Sequence, residues 1–251
     1  MSKLVIANWK MNPATLKEAQ QMLSGIKRGV GKSKAEIVIC PPFVYLEIAK
    51  KAFKNSKVKV GSQNCFWENQ GPFTGEVSPL MLKNLGVGYV ILGHSERVMK
   101  MGETNEMTSK KVKAVLEAKL TPIVCLGETL EEKQAGQTFA VIESELKESL
   151  AKIGKQQAGK VVFAYEPLWA ISTNQALKCS NDDAFTMALF IKKSIGEIYG
   201  KKAKDEVRVL YGGNVSILNA KDYLLNQGID GLLVGNASLN IKEFIDIVRD
   251  I

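Results

Sequence analysis

Histidine is almost missing from this sequence: His94 is the one imidazole in 251 residues. The four cysteines, Cys40, Cys65, Cys125 and Cys179, stand far apart with no C-x-x-C pair. A zinc site of the usual Cys/His spacing therefore has no support. Disulfide frameworks belong to short secreted chains, so the scattered thiols read as reduced core residues. Nowhere does the chain hold the roughly 18 unbroken apolar residues of a membrane-spanning helix, which argues against a membrane partner. The opening "MSKLVIANWKMNP" has too short an apolar run for a secretory leader and no small-residue cleavage site. The cytoplasm is the expected compartment. A G-x-G-x-x-G after the first apolar run is also lacking, which argues against a dinucleotide-binding sheet. So is any Pro/Gly/Ser-rich linker, and residues 1–251 are expected to form one domain.

What is present is an ordinary globular composition, 45% hydrophobic and 24% charged. The net charge is 34 − 26 = +8. The lysines behind it are scattered ("KEAQ", "KRGVGKSK", "KKAFKNSK", "KKVKAVLEAK"), without a basic arm or aromatic–basic interleaving. A charge of this sign suits a nucleic-acid partner or an anionic small substrate, but lysines so scattered read as a solvated basic surface, and no nucleic-acid partner is expected.

Short β-branched runs punctuate the chain: "LVIAN" at 4, "EIVIC" at 36, "VKVGS" at 58, "YVILG" at 89, "PIVCL" at 122, "VVFAY" at 161, "VRVLY" at 207 and "GLLVG" at 231. Continuous apolar runs of this kind suit parallel strands covered on both faces. Helical patterns lie between them. Thr15 with Glu18, and Ser180 with Asp183, read as capping boxes, and Ser78-Pro79 as a cap with proline at the first helical position. Eight strand–helix units about thirty residues apart predict an α/β fold, a single (β/α)8 TIM barrel.

In such a barrel the site is built on the C-terminal ends of the strands and the loops after them. Those positions are polar here: Asn8 and Lys10 after the first strand, His94, Ser95 and Glu96 after the fourth, Glu128 after the fifth and Glu166 after the sixth. The seventh and eighth strands run into "GG" at 212–213 and "GN" at 235–236, with helices expected just beyond, as in a backbone-amide cradle for phosphate. Taken singly, Lys10 reads as a surface lysine, His94 as a core histidine and Glu166 as half of an ion pair. Their convergence on one end of the predicted barrel is what points to chemistry.

The segments "ANWKMN", "GHSER", "CLGET", "AYEPLWAI", "YGGNV" and "DGLLVGNASL", in this order, resemble the triosephosphate isomerase family from end to end of the chain. The resemblance implies proton transfer between dihydroxyacetone phosphate and glyceraldehyde 3-phosphate through an enediol(ate). Glu166 would be the base, desolvated by Leu168, Trp169 and Ile171 once the lid loop that follows closes. His94 would be a neutral donor on a helix N-terminus, Lys10 a fixed positive charge and Asn8 a donor beside it. Ser95 and Glu96 would support them, and backbone amides at Ser172, Asn214, Gly235 and Asn236 would hold the phosphate. No metal or organic cofactor is implied, since the substrate's carbonyl is the electron sink. The stretch from Gln63 to Glu76, with Phe66, Trp67 and Phe73, is similar to the family's third loop. It implies a homodimer in which Thr74 braces the catalytic lysine of the other subunit.

The sequence departs from the family pattern mainly on the phosphate side. "AISTN" stands for A-I-G-T-G, "YGGNV" for a serine at Asn214, and "VGNASL" for a glycine at Asn236; Val98 replaces a second arginine after "GHSER". Backbone amides survive all these changes. A left-handed Ser172 would cost ~1–2 kcal/mol, so an active enzyme with somewhat weaker substrate binding is expected. A barrel isomerase or weakened binder for another small phosphorylated sugar is the alternative.

Overall fold

The computed structural model describes residues 2–31, 33–171, 177–225 and 228–251. Eight parallel strands close in sequence order into a barrel: β1 (Leu4–Asn8), β2 (Glu36–Cys40), β3 (Lys59–Ser62), β4 (Tyr89–Leu92), β5 (Thr121–Leu126), β6 (Val162–Tyr165), β7 (Arg208–Tyr211) and β8 (Gly231–Val234). β8 pairs back onto β1, with Leu4 opposite Gly231. Each strand lies within a residue of its β-branched run, and helices alternate with strands around the outside.

Because successive strand residues face opposite ways, the strands feed two separate cores. Leu4, Ile6, Val38, Ile91, Ile123 and Leu233 fill the barrel interior together with Cys40 and Cys125. Val5, Ala7, Ile37, Val90 and Phe163 turn outward under the helices. All four cysteines are free and buried. Burial pushes the Cys65 and Cys179 thiols up to about 12, which keeps them inert.

The caps hold the helices at the strand ends. Thr15 and Glu18 form the reciprocal box at the helix Leu16–Gly29, and Ser78 caps Pro79–Asn84. At Asn181–Tyr199 half of the expected box is made. The Asp183 amide donates to Ser180 Oγ (3.0 Å), while the Asp183 carboxylate lies 3.7 Å from Lys133 Nζ. An aspartate is one methylene too short to reach back easily.

At the N-terminal end of the barrel, four strands meet on one carboxylate. Glu36 accepts from Lys59 Nζ (2.6 Å), Arg208 Nη1 (2.7 Å) and the Tyr89 hydroxyl. Burial works to raise this acid, but the three donors outweigh it and hold Glu36 at about 2.

Candidate active site

At the opposite end, β1 delivers Asn8 and then Lys10. Lys10 has φ of 54°, left-handed backbone that a residue with a Cβ adopts only when its surroundings insist. They do so from both sides. The Lys10 amide donates to Asn8 Oδ1 (3.0 Å), and its carbonyl accepts from Gln63 Nε2 (2.9 Å), which also donates to the Cys40 carbonyl (2.8 Å). The ammonium then reaches Glu96 Oε1 at 2.8 Å. Burial works to raise the Glu96 carboxyl, but the hydrogen bond and charge of Lys10 hold it below the usual range.

β4 runs into Gly93, and His94 caps the helix Ser95–Met101. His94 Nδ1 accepts from the Glu96 amide (3.2 Å), so the proton of a neutral ring sits on Nε2. That nitrogen faces Glu166 Oε1 at 3.4 Å. Below the turn lies a cluster that sequence reasoning missed. Glu103 accepts from the Gly93 amide (3.3 Å), Arg97 Nε (2.7 Å) and Lys111 Nζ (2.6 Å). Lys111 also donates to Asn64 Oδ1 at 3.0 Å. Glu103 and Lys111 are both buried, and their pairing ties the loops after β3 and β4 together. Lys111 corrects the reading of "KKVKAVLEAK" as a solvated run.

Glu166 follows β6 and is 3% exposed. Its amide donates to the Leu126 carbonyl (2.8 Å), while Oε2 is buried without a hydrogen-bond partner among the described residues. Gly212 leaves it room: a Cβ there would lie 2.7 Å from Glu166 Cγ. Ile171 and Leu168 line the two cavities that Glu166 borders. Trp169 borders neither. Its indole donates to Glu128 Oε1 (3.0 Å), as does the Tyr165 hydroxyl (3.0 Å), and Lys133 Nζ stands 4.0 Å from its ring centre. The buried acid after β5 thus anchors the segment that follows Glu166. Ser95 Oγ is buried and has no partner among the described residues.

Asn8, Lys10, His94 and Glu166 open onto one cavity of about 270 Å³. Its far wall is Gly212, Gly213, Asn214, Gly235 and Asn236. β8 runs into the 3-10 turn Asn236–Leu239, and the helix Ile241–Arg249 follows it. After β7, Asn219 holds the loop: its Nδ2 donates to the Asn214 carbonyl (2.9 Å) and its Oδ1 accepts the Ser216 amide (2.8 Å). Ser172 and Asn174 lie outside the described residues. Thr74 sits in an exposed run, residues 68–76, and does not border the cavity.

A parallel (β/α)8 barrel that gathers a carboxylate, an imidazole and an ammonium opposite a glycine-edged wall defines an acid–base enzyme for a small anionic substrate. A family model for triosephosphate isomerase matches residues 3–251. The triosephosphate isomerase of Dictyoglomus turgidum is 45% identical over 248 residues, 98% of each chain. That of Alkaliphilus oremlandii is 45% identical over 250 residues, 99% of this chain and 100% of the relative. That of Clostridium botulinum (strain Eklund 17B) is 44% identical over the same length. The chain belongs to the triosephosphate isomerase family, and isomerisation of triose phosphates is its activity.

Proposed function

We propose that the chain interconverts dihydroxyacetone phosphate and D-glyceraldehyde 3-phosphate with Glu166 as base, His94 as electrophile and Lys10 as the fixed charge. Glu166 takes a proton from the carbon beside the carbonyl, and the C–H electron pair moves through the new C=C bond onto oxygen. His94 Nε2–H donates to that oxygen, and the Lys10 ammonium stabilises the enediolate. His94 relays the hydroxyl proton from the neighbouring oxygen to this one, and as Glu166 returns the carbon proton to the adjacent carbon, the carbon that lost its proton becomes the new carbonyl. The observation that carries this reading is the orientation of His94. Its Nδ1 is occupied by the Glu96 amide, and its Nε2 shares the cavity with Glu166 Oε1 at 3.4 Å. A donor and a base converging on one small volume can act on adjacent atoms of one substrate.

The wall from Gly212 to Asn214 with Gly235 and Asn236 suits the phosphate dianion, held by backbone amides that side-chain substitutions leave in place. Ser172 would add a lid amide. Ser95 and Glu96 support the site from the helix start after β4. Excluding water protects an enediol phosphate that would otherwise lose its phosphate.

The assembly in this reading is a homodimer, acting in the cytoplasm. The exposed loop 68–76, with Phe73 at its tip, supports it, as does a wide cavity of about 650 Å³ beside Lys10. Met11 and Phe43 are exposed on that cavity's wall. Thr74 of one copy would enter it and brace the other copy's Lys10. Among the described residues no helix is long and apolar enough to cross a membrane.

The test is a coupled assay of the purified chain with glyceraldehyde 3-phosphate, a panel of other sugar phosphates, and Glu166→Gln as control. Turnover of the triose alone, lost in the control, is expected. Turnover no higher than the control's would refute the assignment of the base.

A further inference from the structure

Behind the base lies a second cavity, of about 240 Å³, bordered by Ser95, Val98, Asn105, Glu132, Glu145 and Glu166. Glu145 comes from the helix Thr138–Ser149, far from the strand ends in sequence, and no step above uses it. Its Oε2 accepts the Gly127 amide at 3.0 Å. Gly127 in turn is pressed on the base's own backbone: a Cβ there would stand 2.0 Å from the Glu166 carbonyl oxygen. The residues on either side of Gly127 complete the strap. The Leu126 carbonyl accepts the Glu166 amide (2.8 Å), and the Glu128 carbonyl accepts the Leu168 amide (3.0 Å). The segment carrying the base is thus laid along residues 126–128, and the middle of that strap is tied down by Glu145.

We propose that Glu145 is a positioning residue for this reaction, holding Gly127 and, through its backbone, the segment that presents Glu166 to the substrate. This rests on the isomerase reading above. The surroundings say which form of Glu145 does the holding. Burial pushes its carboxyl up to about 8. The Gly127 amide opposes that, while Glu132 on Leu130–Gln134, Glu128 after β5 and Glu148 on the same helix reinforce it. From the helix Ser95–Met101 the cavity receives Ser95, Val98 and Met99, none of them charged, and from Asn105–Glu117 it receives Asn105. Cys125 and Glu166 complete the facing groups, so no lysine, arginine or histidine borders this cavity among the described residues.

Below about pH 8 Glu145 is therefore a neutral acid that needs no cation and keeps its bond to Gly127. Above it, the Gly127 amide still favours the carboxylate, but repulsion from Glu132, Glu128 and Glu148 works to turn it out through the cavity to water, which loosens the tie on the strap. Misplacing a base by an ångström costs up to ~10²-fold in rate. A loosened strap displaces it less, and a fall of about tenfold in kcat is expected at unchanged KM.

The experiment compares pH profiles of kcat and KM for the native chain, Glu145→Gln and Glu145→Ala, with circular dichroism and melting curves for each. Glutamine keeps an oxygen for the Gly127 amide and cannot ionise. Glu145→Gln is expected to match the native kcat at pH 7 and to lack the native decline between about pH 7 and pH 9. Glu145→Ala is expected to lose about tenfold in kcat at pH 7 with KM within twofold. An alkaline decline that persists unchanged in Glu145→Gln overturns the proposal, as does a folded Glu145→Ala with native kcat. If the alanine variant does not fold, the profile of Glu145→Gln decides alone. A native chain without turnover would overturn the isomerase reading itself, which the native control separates from failure of the positioning role.

Discussion

The two ends of the barrel treat the same side chain in opposite ways. At the N-terminal end Glu36 is saturated with donors from three other strands and is held at about 2. At the C-terminal end Glu166 is more deeply buried, keeps one oxygen without a hydrogen-bond partner among the described residues and turns the other toward an imidazole nitrogen at 3.4 Å. A carboxylate that has given its lone pairs to cations is a poor base. One whose lone pairs are not committed to cations is free to take a proton from a substrate. The same contrast separates a residue that stabilises the fold from one that the fold must stabilise.

The comparison breaks most visibly at Glu166. Glu166→Gln keeps the shape and removes the base, so kcat should fall ~10²–10⁴-fold. Its melting temperature should be equal to the native one or higher, because a buried, under-partnered charge has gone. A melting temperature several degrees lower would show that Glu166 is a structural ion-pair member, as Glu36 is. Next in size is Lys10→Met. Losing one preorganised charge or donor costs about 2.7–4 kcal/mol of barrier, or ~10²–10³-fold in kcat/KM. The same change leaves Glu96 without its cation, so its carboxyl should titrate at a higher pH than in the native chain. Chemical-shift titration of a labelled Glu96 would read this directly.

Most of the barrel is legible in the sequence because its signal is local. A β-branched run of about five residues buried on both faces can hardly be anything but an interior parallel strand, and the polar residues ending those runs mark the rim. The supports of the rim carry no local signal. Glu103 and Lys111 are eight positions apart across a helix start, and Lys111 meets Asn64 from 47 positions away. Gln63 and Asn219 look like ordinary loop amides until the turns they fasten are seen. Glu145 falls in the amphipathic pattern "VIESELKESL", where an acid reads as surface. The partner of the Trp169 indole is hidden for the same reason: Glu128 lies 41 positions away.

Glu36→Gln should move stability without touching activity. Removing a charge that accepts three hydrogen bonds costs about 1–3 kcal/mol, discounted toward the lower end because the site is partly open to solvent. The sign with pH is fixed by the lowered carboxyl. The native stabilisation is fully present above about pH 4.5 and is lost as pH falls toward about 2, where Glu36 takes up its proton. Melting curves of the two chains should therefore differ at pH 7 and converge toward pH 2, with kcat equal at pH 7. A difference that persists at pH 2 would assign the effect to packing.

The smallest effects belong to the phosphate wall, where backbone does the holding. The side chain of Asn214 is exposed. What fixes the loop is Asn219, which accepts one backbone amide and donates to one carbonyl, that of Asn214 itself. Asn214→Ser changes neither bond, so KM for glyceraldehyde 3-phosphate should stay within about threefold, less than 1 kcal/mol. Asn219→Ala removes both bonds and frees the turn, at about 1–2 kcal/mol. KM should then rise by roughly five- to tenfold at nearly constant kcat, as for a group that binds ground and transition states alike. If the order is reversed, and Asn214→Ser raises KM more than Asn219→Ala, the asparagine side chain itself grips the phosphate. The wall at Asn214 would then hold its ligand through a side chain, as Glu36 is held at the opposite end.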